Sequence, residues 1–207
     1  MSTVTDKVAN ALYQSQCLRF GRFKIKSGAT SPYYIDLARV LSAPRQLDVI
    51  AEVAAEKIKQ IAASARIDKL ASIELKGALI VPSIAVKLNL PCVIVRKEEK
   101  AYGVTGRTAG ADVAKGDNVL FFDDVVSEGL SKIEGVKPLL ELGANVKHML
   151  VVVNREHGGK ENLEKIGYQV HALAKITDIV ASLSGNGHIS KEQAEGVLEY
   201  VKHFRAR

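Results

Sequence analysis

Apolar positions recur along the N-terminal segment at Val4, Val8, Ala11 and Leu12, one face of a helix. The next stretch, "LRFGRFKIKSG", alternates like a strand and ends in a glycine turn, and "SPYYIDLARV" reads as a second extended piece. Pro44 suits the first turn of a long helix, whose stripe is Leu47, Ile50, Ala51, Ala54, Ile58 and Ile61. Beyond it the period changes. "LASIEL", "CVIV", "NVLFF", "MLVVV" and "QVHAL" are short runs apolar on both faces, with helical stretches such as "GALIVPSIAVKL" and "KPLLELG" between several of them. Strands of that kind belong to a parallel sheet covered on both sides, so the pattern predicts an α/β fold with a central parallel sheet flanked by helices. Ser190 and Gln193 form a capping box for a last helix with the stripe Ala194, Val197, Leu198 and Val201. Pro138 falls inside a predicted helix and marks a kink or a late start. One stretch resists the pattern. "RKEEKAYGVTGRTAGADVAKGD", between "CVIV" and "NVLFF", is charged, glycine-rich and without a period, and an insert of that kind is usually functional or disordered.

Composition narrows the classes. The chain has 207 residues, 47% hydrophobic and 25% charged, which suits one globular domain with a sizeable core. No apolar run reaches bilayer length, and "MSTVTDKVANALYQSQ" lacks a basic start and apolar stretch, so a soluble, cytoplasmic protein without a membrane partner is expected. The net charge of +6 points to an anionic partner, but aromatics are 5% and no Lys/Arg block stands out. A small phosphorylated ligand fits that balance better than nucleic acid. Cys17 and Cys92 have no metal or redox spacing, and Cys92 in "PCVIV" reads as an inert core thiol. The five histidines do not cluster at metal-ligand spacing.

Chemistry gathers at the strand ends, where open α/β sheets bind ligands. Asp123 and Asp124 end the "NVLFF" strand and point in different directions. They suit a hydroxyl or a metal-bound water, or alternatively are acids favoured by a helix start. Ser127, Glu128, Gly129, Leu130 and Ser131 then offer backbone N–H groups and two hydroxyls ahead of a helix, the makings of a phosphate cradle. The competing reading is structural, because Ser131 with Glu134 forms a capping box. Glu128 suits an anion site only if its side chain turns outward, which is the expectation here together with Leu130. Arg96, Lys97, Lys100 and Arg107 lie among Gly103, Gly106 and Gly110, as in a lid that closes on a polyanion or in a solvated loop. Lys26, Lys76 and Arg155 stand at further strand–loop junctions. There is no Walker A pattern, and "GVTGRTAG" lacks the dinucleotide-binding spacing.

Taken in order, these segments resemble the orotate phosphoribosyltransferase family, from about Phe20 to Ile176. "FKIKSGATSPYYIDL" is similar to its orotate-side signature, "RKEEKAYGVTGRTAG" to its catalytic loop, "FFDDVVSEGLS" to the phosphoribosyl pyrophosphate (PRPP) motif and "NREHGG" to the segment whose arginine meets orotate. The resemblance implies a type I phosphoribosyltransferase fold over residues 1–207, with about 1–42 as an N-terminal hood and 97–114 as a mobile catalytic loop. It implies that Lys76, Arg96, Lys97, Lys100, Asp123, Asp124, Val125, Val126, Ser127, Glu128, Gly129, Leu130 and Ser131 bind PRPP, and that Lys26, Tyr34, Ser127 and Arg155 bind orotate. Lys100, Asp123, Asp124 and Tyr102 are the implied catalytic residues. Mg²⁺ is the implied cofactor, held mainly by PRPP and water, and a homodimer with shared sites is the implied assembly. The chain departs from the family pattern at Ser127, Glu128, Leu130, Tyr102 (a usual His) and Asn154 (a usual Asp). A PRPP-binding regulator of weak activity and a phosphoribosyltransferase for another base are the alternative readings.

Overall fold

The computed structural model describes residues 2–25, 28–100 and 106–205, with the side chains of Lys100 and Arg205 left aside. Helix α1 (Val4–Gln14) leads into an antiparallel hairpin of β1 (Leu18–Lys24) and β2 (Thr30–Ile35). A 3-10 helix follows at Leu37–Ser42, so the second half of "SPYYIDLARV" is coiled rather than extended. Then come α2 (Pro44–Ala62), β3 (Lys69–Ile73), α3 (Lys76–Leu88), β4 (Cys92–Lys100) and β5 (Gly106–Gly110). The chain continues through β6 (Val119–Val126), α4 (Leu130–Glu141), β7 (His148–Asn154), α5 (Gly159–Lys165), β8 (Gln169–Lys175), α6 (Ile176–Gly185) and α7 (Lys191–Arg205). Six strands form the main sheet in the order β5-β4-β3-β6-β7-β8, parallel except for β5 at the edge.

The sheet is buried on both faces because its strands alternate between two cores. Leu70, Leu120, Phe122, Leu150 and Val152 face one core, which α1, α2, α3, α6 and α7 complete. Ala71, Phe121, Met149 and Val151 face the other, covered by Val136 and Leu139 of α4 and Leu163 of α5. Burying one such side chain stabilises the fold by about 1.5–3 kcal/mol. Gly135 lets α4 lie against the sheet, since a Cβ there would sit 2.5 Å from Phe121 Cζ. The helix continues through Pro138, which neither delays its start nor ends it.

One expected capping box forms, one does not, and a further one appears at α1. Ser190 and Gln193 exchange both bonds of the capping box, at 3.0 and 3.1 Å. Thr3 and Asp6 do the same for α1. Ser131 does not cap α4. Gly129, at φ +94°, stands at that position with no side-chain bond, and the helix begins at Leu130. A left-handed residue turns the chain sharply enough that no hydroxyl is needed there. The other differences concern burial and the insert. Val4 is exposed while Ala9 joins the α1 core face, and Cys92 is only half-buried whereas Cys17 lies fully inside. The insert has more structure than its composition suggests. β4 extends to Lys100, and β5 pairs back onto it from Lys100↔Gly106 to Val93↔Gly110.

Candidate active site

A cleft of about 870 Å³ opens at the carboxyl ends of β3 and β6, lined by Lys76, Lys97, Arg107, Asp123, Asp124 and the 127–131 loop among others. Both aspartates lie within β6, and strand alternation turns them to opposite sides. Asp123 shares the face of Phe121, towards α4. There it meets Lys132, whose Nζ lies 2.6 Å from Asp123 Oδ2 with both side chains buried. Asp123 Oδ1 accepts the N–H of Asp124 at 2.8 Å, and Asp124 Oδ1 accepts that of Val125 at 2.8 Å. Burial first and the Asp123 charge second push the Asp124 carboxyl up to about 6, against the opposing pull of Lys132 and Lys76.

The loop between β6 and α4 is pinned from behind by the "NREHGG" segment. Val126 C=O accepts the Arg155 N–H at 2.9 Å, and Ser127 C=O accepts the Gly159 N–H at 2.8 Å. A Cβ at Gly159 would press on Ser127 O and stand 2.7 Å from Glu128 C, so only glycine permits this approach. The loop lines the cleft at the start of a twelve-residue helix, where partial positive charge gathers. Glu128 is exposed on the ridge between this cleft and a second one of about 660 Å³, and Leu130 is 67% exposed.

Arg155 is held across the loop. Its Nη1 donates to Ser127 Oγ at 3.3 Å and its Nε to Tyr33 Oη at 3.1 Å, with the guanidinium 5.0 Å from the Tyr33 ring centroid. Tyr33 is fully buried, and an aromatic wall from α7 backs it. Tyr200 meets Tyr33 edge-on at 6.0 Å, and Phe204 stacks on His157 at 3.9 Å. Burial, then the Arg155 charge, pushes the His157 imidazole down to about 4, so it stays neutral beside the guanidinium at neutral pH. Tyr34, at the partly exposed position, packs on Phe23 with ring centroids 5.6 Å apart, and Lys76 Nζ hovers 6.0 Å over its ring.

The cations are arranged by the β4–β5 hairpin and by the start of α3. Lys76, first residue of α3, pairs with Asp36 at 3.3 Å beside Tyr34. Arg107 donates to the carbonyls of Arg96 and Lys97 at 3.2 Å and lines the cleft. Arg96 does not line it, because its Nη1 donates to Gly106 C=O at 2.9 Å and clasps the hairpin.

Among the expected site residues, Lys76, Lys97, Asp123, Asp124, Val125, Ser127, Glu128, Gly129, Leu130 and Ser131 therefore share one cleft. Arg155 and Tyr34 flank it, through Ser127 and Lys76 respectively. Arg96 and the buried Val126 serve the scaffold. Lys26 and Tyr102 lie outside the described residues, as does the side chain of Lys100. Residues not anticipated include Lys132, Tyr33, Gly77 and Gly159. A signal for Lys132 exists, since it shares the spacing of Gly135, Val136 and Leu139 on the buried stripe of α4. A charged residue in an apolar stripe calls for a buried partner.

The chain is similar to known proteins in sequence and in fold. A family model described as the phosphoribosyl transferase domain matches residues 36–179. The chain is 36% identical over 189 residues to the orotate phosphoribosyltransferase of Pyrococcus horikoshii, covering 91% of this chain and 98% of that one. It superposes on the UMP synthase of Leishmania donovani with a TM-score of 0.87 at 30% identity, covering 98% of this chain but only 43% of that longer one. The crystal structure of the orotate phosphoribosyltransferase from Aeropyrum pernix gives a TM-score of 0.73 at 27% identity, over 88% of this chain and 99% of that one.

Proposed function

The chain belongs to the orotate phosphoribosyltransferase family, and from that premise we propose how its residues divide the work of joining orotate to PRPP. The reaction of pyrimidine biosynthesis yields orotidine 5′-phosphate and pyrophosphate. Orotate N1 forms a bond to the anomeric carbon of PRPP while the bond from that carbon to the pyrophosphate oxygen breaks. Positive charge builds on the ribose ring and negative charge on the leaving group, so the protein's task is positioning and charge stabilisation.

The observation that carries this division is the meeting in one cleft of two carboxylates, a helix-start amide loop and separate cations. The 127–131 amides hold the 5′-phosphate, and the hydroxyls of Ser127 and Ser131 add donors. Lys76 and Lys97 draw the pyrophosphate, assisted by Lys100 from the hairpin. Arg107 contributes charge at the same wall. Arg155, steadied by Tyr33 and Ser127, meets the orotate carboxylate as a fork of donors, and Lys26 and Tyr34 contribute to orotate binding. Tyr102 takes part as a hydrogen-bonding group.

The donor set also bears on Mg²⁺. Among the described residues no three carboxylate, His or Cys groups converge on a cation position, and Asp123 already pairs with Lys132. That fits an ion held mainly by PRPP and water, with Asp124 reaching its water shell. When bound, the ion supplies neutralisation of the departing pyrophosphate. The protein works as a cytoplasmic homodimer in which each hairpin serves the neighbouring cleft.

The direct test incubates purified protein with orotate, PRPP and Mg²⁺ and follows orotidine 5′-phosphate, with uracil, hypoxanthine and adenine in parallel. Turnover of orotate above the other bases is expected. A folded sample that binds PRPP without turnover would instead mark a regulator.

A further inference from the structure

The two adjacent aspartates are not equivalent. Both oxygens of Asp123 are engaged within the fold, Oδ2 by Lys132 Nζ at 2.6 Å and Oδ1 by the Asp124 N–H at 2.8 Å. Helix α3 closes over the same carboxylate. A Cβ added at Gly77 would stand 2.6 Å from Asp123 Oδ1 and press on Ser72 Oγ, so the first turn of α3 packs against it without a gap. Lys132 is 4% exposed, and its Nζ reaches Ser131 Oγ at 3.3 Å as well. The ammonium thus ties strand β6 to the first turn of helix α4, whose Ser131 is also the last residue of the phosphate loop. A buried cation is costly unless it is paired, and this pairing is complete on the Asp123 side. Asp124 differs. Its Oδ1 accepts the Val125 N–H, while Oδ2 makes no hydrogen bond or ion pair among the described residues and the residue lines the cleft.

We propose that Lys132 is a positioning residue that holds Asp123 as an internal brace, leaving Asp124 as the carboxylate that accepts from the ribose hydroxyls of PRPP. Lys132 acts through two links. It fixes the Asp123 carboxylate, whose Oδ1 orients the Asp124 amide, and it fixes Ser131 at the start of α4. The brace sets the distance between the hydroxyl-binding carboxylate and the phosphate cradle. This inference rests on the PRPP-binding reading above and goes beyond it, because that reading gives Lys132 no part in binding and names no acceptor for the ribose hydroxyls.

The experiment measures displacement of PRPP by ribose 5-phosphate and by its 2-deoxy and 3-deoxy analogues. Calorimetry is run on the full chain and on Asp123→Asn, Asp124→Asn, Lys132→Met and the double variant Asp123→Asn/Lys132→Met. Wild type is expected to favour the intact sugar. Asp124→Asn should shrink that preference roughly tenfold, the order expected for a lost hydrogen bond to a charged group. Asp123→Asn and Lys132→Met should weaken all three sugars together and keep the preference. Their losses of PRPP affinity should not add in the double variant, as for two residues acting through one link. The brace is overturned if Asp123→Asn abolishes the preference, if Asp124→Asn retains it, or if folded Lys132→Met binds PRPP as wild type does. If Lys132→Met alone does not fold, the comparison of Asp123→Asn with Asp124→Asn decides, and loss of preference in a folded double variant also counts against the brace. The functional reading fails separately, when wild type neither binds PRPP nor turns orotate over. Normal turnover without any hydroxyl preference sinks the brace alone.

Discussion

At Glu128 a carboxylate stands in the middle of a loop built for phosphate. Its tolerance follows from exposure: the side chain is open to solvent where the two clefts that it helps to line adjoin. An exposed charge is screened by water, so its repulsion of a bound phosphate is small. Glu128→Ala is therefore expected to leave PRPP affinity unchanged or to raise it by at most about fivefold. Titration calorimetry with PRPP and Mg²⁺ checks this, and a large loss of affinity would reveal a contact made by the carboxylate itself. The same residue-level logic separates what the sequence could say from what it could not. Asp123 and Asp124 were legible because an acidic pair ends an apolar run. Which of the two turns towards Lys132 depends on strand parity relative to α4, and the letters alone do not carry that. Parity also decided between the neighbours in "SPYYIDL". Tyr33 pairs with Phe20 and faces Arg155, while Tyr34 pairs with Arg19 and faces out.

Between elements, the site depends on how closely α4 lies on the sheet. Gly135 is the closest point of that contact, with Phe121 and Ile73 already against its Cα position. An added methyl must shift the helix or the Phe121 ring, and overpacking of that kind costs about 1–3 kcal/mol. Because Leu130 begins the same helix, displacement of α4 also moves the phosphate cradle and Lys132. Gly135→Ala should lower the melting temperature by several degrees and raise KM for PRPP more than KM for orotate. An equal rise in both would mean that the helix transmits nothing specific to the cradle. Helix α4 shows, too, where periodicity stops being informative. Its apolar stripe was readable, but its start was not, since a left-handed glycine at residue 129 replaces the capping box offered by Ser131 and Glu134. The β4–β5 hairpin was hidden for a related reason. Lys97, Glu98 and Glu99 are exposed beyond the core, so no buried alternation marks them as strand.

On the scale of the whole molecule, the cleft and the hairpin have different owners if the protein acts as the proposed homodimer. The cleft's carboxylates and phosphate loop belong to β6 and α4 near the middle of the sheet, whereas β4 and β5 form its edge and carry Lys100 away from the core. An edge hairpin that projects past its own sheet is well placed to serve a neighbouring subunit related by a two-fold axis. That arrangement makes a prediction no monomer can meet. Asp124→Asn and Lys100→Ala should each cripple the enzyme alone, the first within the cleft and the second through the partner's cleft. When the two inactive variants are mixed and allowed to exchange subunits, hybrid dimers form in which one site combines an intact Asp124 with an intact Lys100. Random exchange of equal amounts makes half of the dimers hybrids with one good site in two, so about a quarter of wild-type activity per site should return. Turnover of orotate measured before and after exchange reads this directly. If activity stays at the level of the parent variants although exchange is complete by native mass spectrometry, Lys100 serves its own subunit's cleft and the shared-site arrangement is wrong.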